Sequence, residues 1–339
     1  MTTIIICNMP PFVRHLSLIT ASVVLVPLSL TACNSSTSST PSTSTSAAAA
    51  SSSAGAAAGP SASAEPAACP TAPVSVVVSV DQWGDIVSEL AGKCGNVKTI
   101  LASSSVDPHD YEPSPADGAA FGGAQMVVVN GADYDAWASK LAANSAPNAP
   151  VVDAGKVTNT AEGANPHLWY GPSNVTAVAD AVTAELTKLD PQAGDYFTTQ
   201  RASFASSMKP YDDLIAKIKA GASGKSYAAT EGIFDYQAEA LGLVNKTPQG
   251  YQNASASETD PSPADIAAFT EALANHQIDV LIYNTQTEGS IPQQIRDAAE
   301  KANVPVVDVT ETVPPGQTSF EGWQDGQLTA LAKALGVAV

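Results

Sequence analysis

The sequence predicts an α/β protein of two similar lobes with mostly parallel sheets, joined by a long rigid helix. Three observations carry that prediction. Val74–Val80 is a nearly continuous β-branched run, the mark of a strand buried on both faces. Strand patterns then alternate with helical ones, break off for a long helical stretch, and restart, as two βαβ-type units would. Finally, Glu112-Pro113-Ser114-Pro115-Ala116-Asp117 returns almost residue for residue as Asp260-Pro261-Ser262-Pro263-Ala264-Asp265. In each copy the serine suits a helix N-cap, the second proline the first helical position and the aspartate the third.

The chain opens with Arg14 ahead of an apolar run over residues 16–30 that ends in Leu30-Thr31-Ala32-Cys33. A positive start, an apolar stretch of about 15 residues and small residues before a break describe a secretory signal. The run is too short for a comfortable membrane span. The Leu-Thr-Ala-Cys end resembles a bacterial lipoprotein signal, which implies residues 1–32 as a signal peptide, lipidation at Cys33 and a lipid-anchored domain at the outer face of the cell membrane. Residues 33–70 are almost wholly Ser, Thr, Ala, Pro and Gly, with Glu65 the only charge. Such a segment cannot bury enough apolar surface to fold and predicts a flexible tether.

Beyond it, the chain of 339 residues is 44% hydrophobic, enough for one large core or two ordinary ones. A formal net charge of −18 excludes nucleic acid binding through a basic face. Acidity suits cations, but it also serves solubility. Of the four cysteines, Cys7 falls in the signal and Cys33 at the anchor. Cys69 and Cys94 remain as an even pair in an oxidising setting, which predicts a disulfide.

In order along the chain, the first lobe (71–189) starts with Val74–Val80. Trp83, Ile86, Val87 and Leu90 follow at helical spacing, with Gly92 as a stop. A strand over 97–101 leads into a proline-stiffened loop with His109, then a helix over 115–122, a strand over 126–130, a helix over 134–143 and a strand over 151–153. Asn165-Pro166-His167-Leu168-Trp169 precedes a helix capped at Ser173. The linking helix (190–221) places Phe197, Phe204, Met208, Tyr211, Ile215 and Ile218 on one face, and Pro210 should kink or split it. The second lobe (222–339) restarts with a strand over 226–230 ending just before Glu231, then a helix and a polar loop. The echoed cap, a strand over 280–283, a helix, a strand over 304–308, a loop with Glu311 and a last helix complete it.

His109, His167, Glu231 and Glu311 each follow the C-terminal edge of a strand, where open α/β sheets bind ligands. Two imidazoles and two carboxylates, contributed by both lobes, predict a four-ligand site for a divalent metal in the interlobe cleft. Imidazole suits zinc and carboxylate oxygen suits manganese. Each residue also has a plainer reading: a surface histidine, or a carboxylate favoured by a helix N-terminus.

The motifs Asp-Pro-His-Asp-Tyr-Glu-Pro-Ser-Pro, Asn-Pro-His-Leu-Trp and Thr-Glu-Gly-Ile-Phe-Asp-Tyr-Gln-Ala-Glu-Ala-Leu-Gly-Leu resemble those of the zinc/manganese solute-binding lipoproteins of ABC transporters (cluster A-I), over about residues 74 to 336. The resemblance implies two lobes bridged by a rigid helix with one metal ion between them, Mn2+ or Zn2+, as transported ligand. It implies as partners an ABC permease and its ATPase, with the binding protein a monomer and no enzyme. Its ligands match His109, His167 and Glu231. Its usual fourth ligand, an aspartate, is matched by Glu311 here, with Asp308 as the alternative. Residues 154–164 contain no histidine, which with Glu231 leans towards manganese. The alternatives from other classes are an exported metal-dependent hydrolase and an adhesin with a structural metal. No His-Glu-x-x-His occurs to support the hydrolase.

Overall fold

The computed structural model describes residues 68–102, 108–109, 111–287 and 289–339. The expected signal, Cys33 and the tether up to residue 67 lie outside the described residues.

The first lobe runs β1 (Val74–Val80), α1 (Asp81–Ala91), β2 (Gly95–Leu101), α2 (Pro115–Gly122), β3 (Met126–Val129), α3 (Ala136–Ser145), β4 (Val151–Asp153) and a one-turn α4 (Ala154–Val157). Its sheet has the order β2-β1-β3-β4, and every pairing is parallel. Three helices follow: α5 (Pro172–Leu189), α6 (Gly194–Ser207) and α7 (Lys209–Ala222). The second lobe runs β5 (Ser226–Ala229), α8 (Asp235–Leu241), β6 (Val244–Asn245), α9 (Gln249–Ala256), α10 (Pro263–Ala274), β7 (Val280–Asn284), α11 (Ser290–Lys301), β8 (Val306–Val309) and α12 (Phe320–Ala334). Its sheet order, β6-β5-β7-β8, repeats the first, again wholly parallel.

The echoed cap motif sits at the same topological point in both lobes, on the helix entering the third strand. Ser114 accepts from the Asp117 N–H while the Asp117 side chain accepts from Ser114 N–H, a full capping box. Ser262 likewise accepts from Asp265 N–H at the start of α10.

One apolar core runs from the first sheet through Phe197 and Phe204 of α6 and Tyr211 and Ile218 of α7 into Tyr227, Ile282, Val307 and Trp323 of the second lobe. The other face of the second sheet holds a separate cluster around Ala228, Leu281, Phe269 and Ile295. Leu281 and Ile282 thus serve opposite faces, as strand alternation requires.

The link between lobes is two helices in tandem. α6 ends at Ser207 and α7 opens with Pro210 in its first turn, Met208 lying between them. Proline brings no N–H and its ring crowds the carbonyl four residues back, so the helix restarts there. Three other features depart from the sequence pattern. Gly171, with Pro172 at the first helical position, caps α5 in place of Ser173. The stretch expected as a polar loop after α8 contains β6 and α9. Residues 154–157, short and without apolar periodicity, form α4 with Asp153 as its cap. A disulfide joins Cys69 to the buried Cys94, ahead of β2.

Where α1 meets α12, carboxylate oxygens of Asp85, Glu89 and Glu321 lie within 4.8 Å of one another. Burial, then the charges of Glu321 and Asp85, push the Glu89 carboxyl up to about 7, and burial pushes Asp81 up to about 6. A raised carboxyl pKa means the folded chain holds more protons than the unfolded one. The contribution to stability is therefore present below about pH 4 and is lost as pH rises through 6 and 7. Thermal unfolding of the metal-free protein should show Tm falling between pH 5 and pH 8, with Glu89→Gln raising Tm at pH 8 and flattening the slope. An unchanged slope in the variant would contradict this.

Candidate metal centre

His109, Glu231 and Glu311 come in loops after strands, and His167 in the loop between α4 and α5. His109 follows β2. Its loop is anchored by the Trp137 indole, which donates to the carbonyl of Pro108 (3.2 Å), and by Tyr111, which donates to Asp117 (2.9 Å). Tyr134 stands edge-on against the His109 ring with centroids 4.7 Å apart.

His167 is 5% exposed. Asn165 Oδ1 accepts from His167 N–H (3.1 Å) and lies 2.7 Å from Nδ1. The Asn165 amide nitrogen donates to the carbonyl of Gly232 (2.7 Å), which fixes its oxygen as the acceptor. Nδ1 therefore carries a proton, and Nε2 is the nitrogen presented to the cleft. Glu311 Oε1 lies 2.7 Å from that Nε2. Oxygens thus stand at both ring nitrogens. Burial opposes the charge, but the hydrogen bond and charge of Glu311, then Glu231 and Asp235, outweigh it and hold His167 above the usual histidine range.

Glu311 follows β8 and is 6% exposed. Its N–H and that of Thr312 donate to Gln286 Oε1 (2.6 and 3.0 Å). Glu231 follows β5 directly. Its Oε2 accepts from Asn284 Nδ2 (2.8 Å) and Thr287 Oγ1 (2.6 Å), and Oε1 sits 3.9 Å from His167 Nε2.

His109, His167 and Glu311 each offer a donor atom within 4.8 Å of the others. Glu231 lies outside that mutual group, bordering it through His167. Asp308, the alternative to Glu311, is elsewhere: it lies exposed on β8 and pairs with Arg296. The strand runs to Val309, so Asp308 lies within it, and alternation puts it on the face opposite buried Val307 and Val309.

Several residues around the site had no signal in the sequence. Asn165 is the exception, since its place two residues before His167 suits an Asx-type turn. Gln286, Asn284 and Thr287 lie more than fifty residues from Glu231 or more than twenty from Glu311. Glu258, at the end of α9, brings its carboxylate 3.5 Å from His109 Nδ1 across the cleft.

Residues 76–334 match the family described as ZnuA, zinc-uptake complex component A, periplasmic. Among individual proteins, the chain is 24% identical over 147 residues to "Manganese-binding lipoprotein MntA" of Halalkalibacterium halodurans, covering 42% of this chain and 48% of that one. It is 24% identical over 203 residues to "High-affinity zinc uptake system protein ZnuA" of Bacillus subtilis, covering 54% and 62%. The chain thus spans about half to three-fifths of the length of these two relatives. Its fold superposes with a TM-score of 0.66 and 18% identity on a metal-free mutant of a periplasmic metal binding protein from candidatus Liberibacter asiaticus, covering 77% of this chain and 99% of that one. The extent of the family match decides the assignment: the chain belongs to the ZnuA family of zinc-uptake complex periplasmic components.

Proposed function

We propose that this protein is an extracytoplasmic solute-binding lipoprotein that captures one Mn2+ or Zn2+ ion between its lobes and delivers it to an ABC permease driven by its ATPase. The observation that supports this best is the convergence of His109, His167 and Glu311 within 4.8 Å, with Glu231 beside them, from both lobes. His109, His167, Glu231 and Glu311 are the proposed ligands. Asn165 sets the His167 tautomer, and the Asn284 and Thr287 donors hold the outer oxygen of Glu231 so that its other oxygen faces the cleft, the usual work of outer partners at metal sites. The proposed layout is a signal peptide over 1–32, a tether over 33–70 anchored through lipidated Cys33, lobes over 71–189 and 222–339, and the linking helices over 190–221.

Two nitrogens and two carboxylates are of intermediate hardness, so both metals should bind, zinc more tightly in direct competition by the ordinary affinity order. Binding also requires an unprotonated His167 Nε2, and the upward shift of that ring makes proton release part of binding. Calorimetric titration of Mn2+ near pH 7 should therefore show heats that depend on the buffer's ionisation enthalpy, reporting proton release, with affinity falling as pH drops. Heats independent of the buffer would contradict the proposed role of His167.

A further inference from the structure

The N-terminal half of α1 belongs to the first lobe, yet three of its side chains hold the segment of the second lobe that begins at Glu311. Gln82 is wholly buried. One hydrogen of its Nε2 goes to the Tyr134 hydroxyl (2.9 Å) and the other to the backbone carbonyl of Glu311 (2.9 Å). Asp81 accepts from Val313 N–H (3.5 Å), and Asp85 accepts from Phe320 N–H.

Between these pins the segment spans a cavity of about 360 Å³ lined by Asp81, Asp85, Ser88 and Thr99 on one side and by residues 313–319 on the other. Its middle, residues 314–319, borders open space, while its ends are held by these pins and by buried Phe320. Gln82 holds the one nearest the site. Its other partner, Tyr134, stands against His109 (4.7 Å) and His167 (6.0 Å between centroids). A single amide thus ties the aromatic support of both histidines to the backbone of Glu311.

We propose that Gln82 is a positioning residue for Glu311, coupling the placement of that carboxylate in the metal site to contact between the two lobes. The inference rests on the reading of Glu311 as a ligand. An apolar residue of similar volume would fill the same space, so the amide's specific contribution is its two donors, one to each lobe.

The test is a double-mutant cycle in the full-length protein, with Mn2+ affinity and dissociation rate measured for Gln82→Met, Glu311→Ala and the pair. A positioning role predicts that Gln82→Met weakens Mn2+ binding about 10- to 100-fold, the usual effect of an outer partner, mainly through faster dissociation. It also predicts that the same change costs almost nothing once Glu311 is alanine. Gln82→Leu serves if the methionine variant does not fold. Full cost in both backgrounds, or native affinity in Gln82→Met while Glu311→Ala weakens binding, overturns the inference. If Glu311→Ala leaves affinity unchanged, the reading of Glu311 as a ligand falls first, and the inference with it.

Discussion

His167→Ala should abolish Mn2+ binding at micromolar metal and destabilise the metal-free protein by about 3–5 kcal/mol, the usual cost of removing one partner from a buried charge pair. The imidazole and the Glu311 carboxylate are 5% and 6% exposed and lie 2.7 Å apart. Alanine removes the imidazole while the second lobe still holds the Glu311 backbone in place through Gln286. It also frees Asn165 from the side chain it orients. Urea unfolding of the metal-free variant, with a Mn2+ titration of the same preparation, checks both halves. Native stability with lost binding would show that the His167–Glu311 contact contributes little. Native binding would remove His167 from the site.

Trp169→Ala should cost about 3–5 kcal/mol as well, through a cavity rather than a lost charge. Trp169 is completely buried. Its ring lies 5.3 Å from His167 and 5.0 Å from Tyr134, centroid to centroid, so the void would open directly behind the site. The ligand would lose the wall that fixes its ring, and Mn2+ affinity should fall together with stability. Trp169→Phe should cost much less, because the indole N–H is buried with no hydrogen-bond partner among the described residues, and its removal relieves an unmet donor. Comparable losses in the two variants, measured by denaturant unfolding, would contradict the cavity argument.

Much of the fold was legible because the features that encode it are local. The β-branched run at Val74–Val80 and the twin Pro-Ser-Pro caps gave a parallel sheet and a repeated lobe, and both lobes show the same strand order. α4, α9 and β6 were not legible, since one turn of Ala-Gly-Lys-Val, a polar Gln-Gly-Tyr-Gln stretch and a two-residue strand carry no usable periodicity. The site divides in the same way. His109 and His167 stand out through their proline-framed loops. Asp308 competes with Glu311 in the sequence because the resembled family's usual fourth ligand is an aspartate, but β8 continues to Val309 and keeps Asp308 inside the strand on its exposed face. Gln82, Gln286 and Glu258 left no trace, because each acts on a partner brought close only by the meeting of distant segments.

A single interlobe site for a divalent metal would draw its ligands from both lobes. Metal analysis and Mn2+ titration of the protein, purified without a histidine tag, test it most directly when run beside His109→Ala. The wild-type chain should bind one ion, and the variant should lose at least about tenfold in affinity, roughly 1.4 kcal/mol. No bound metal in the wild type, or an affinity that His109→Ala leaves unchanged, would contradict it.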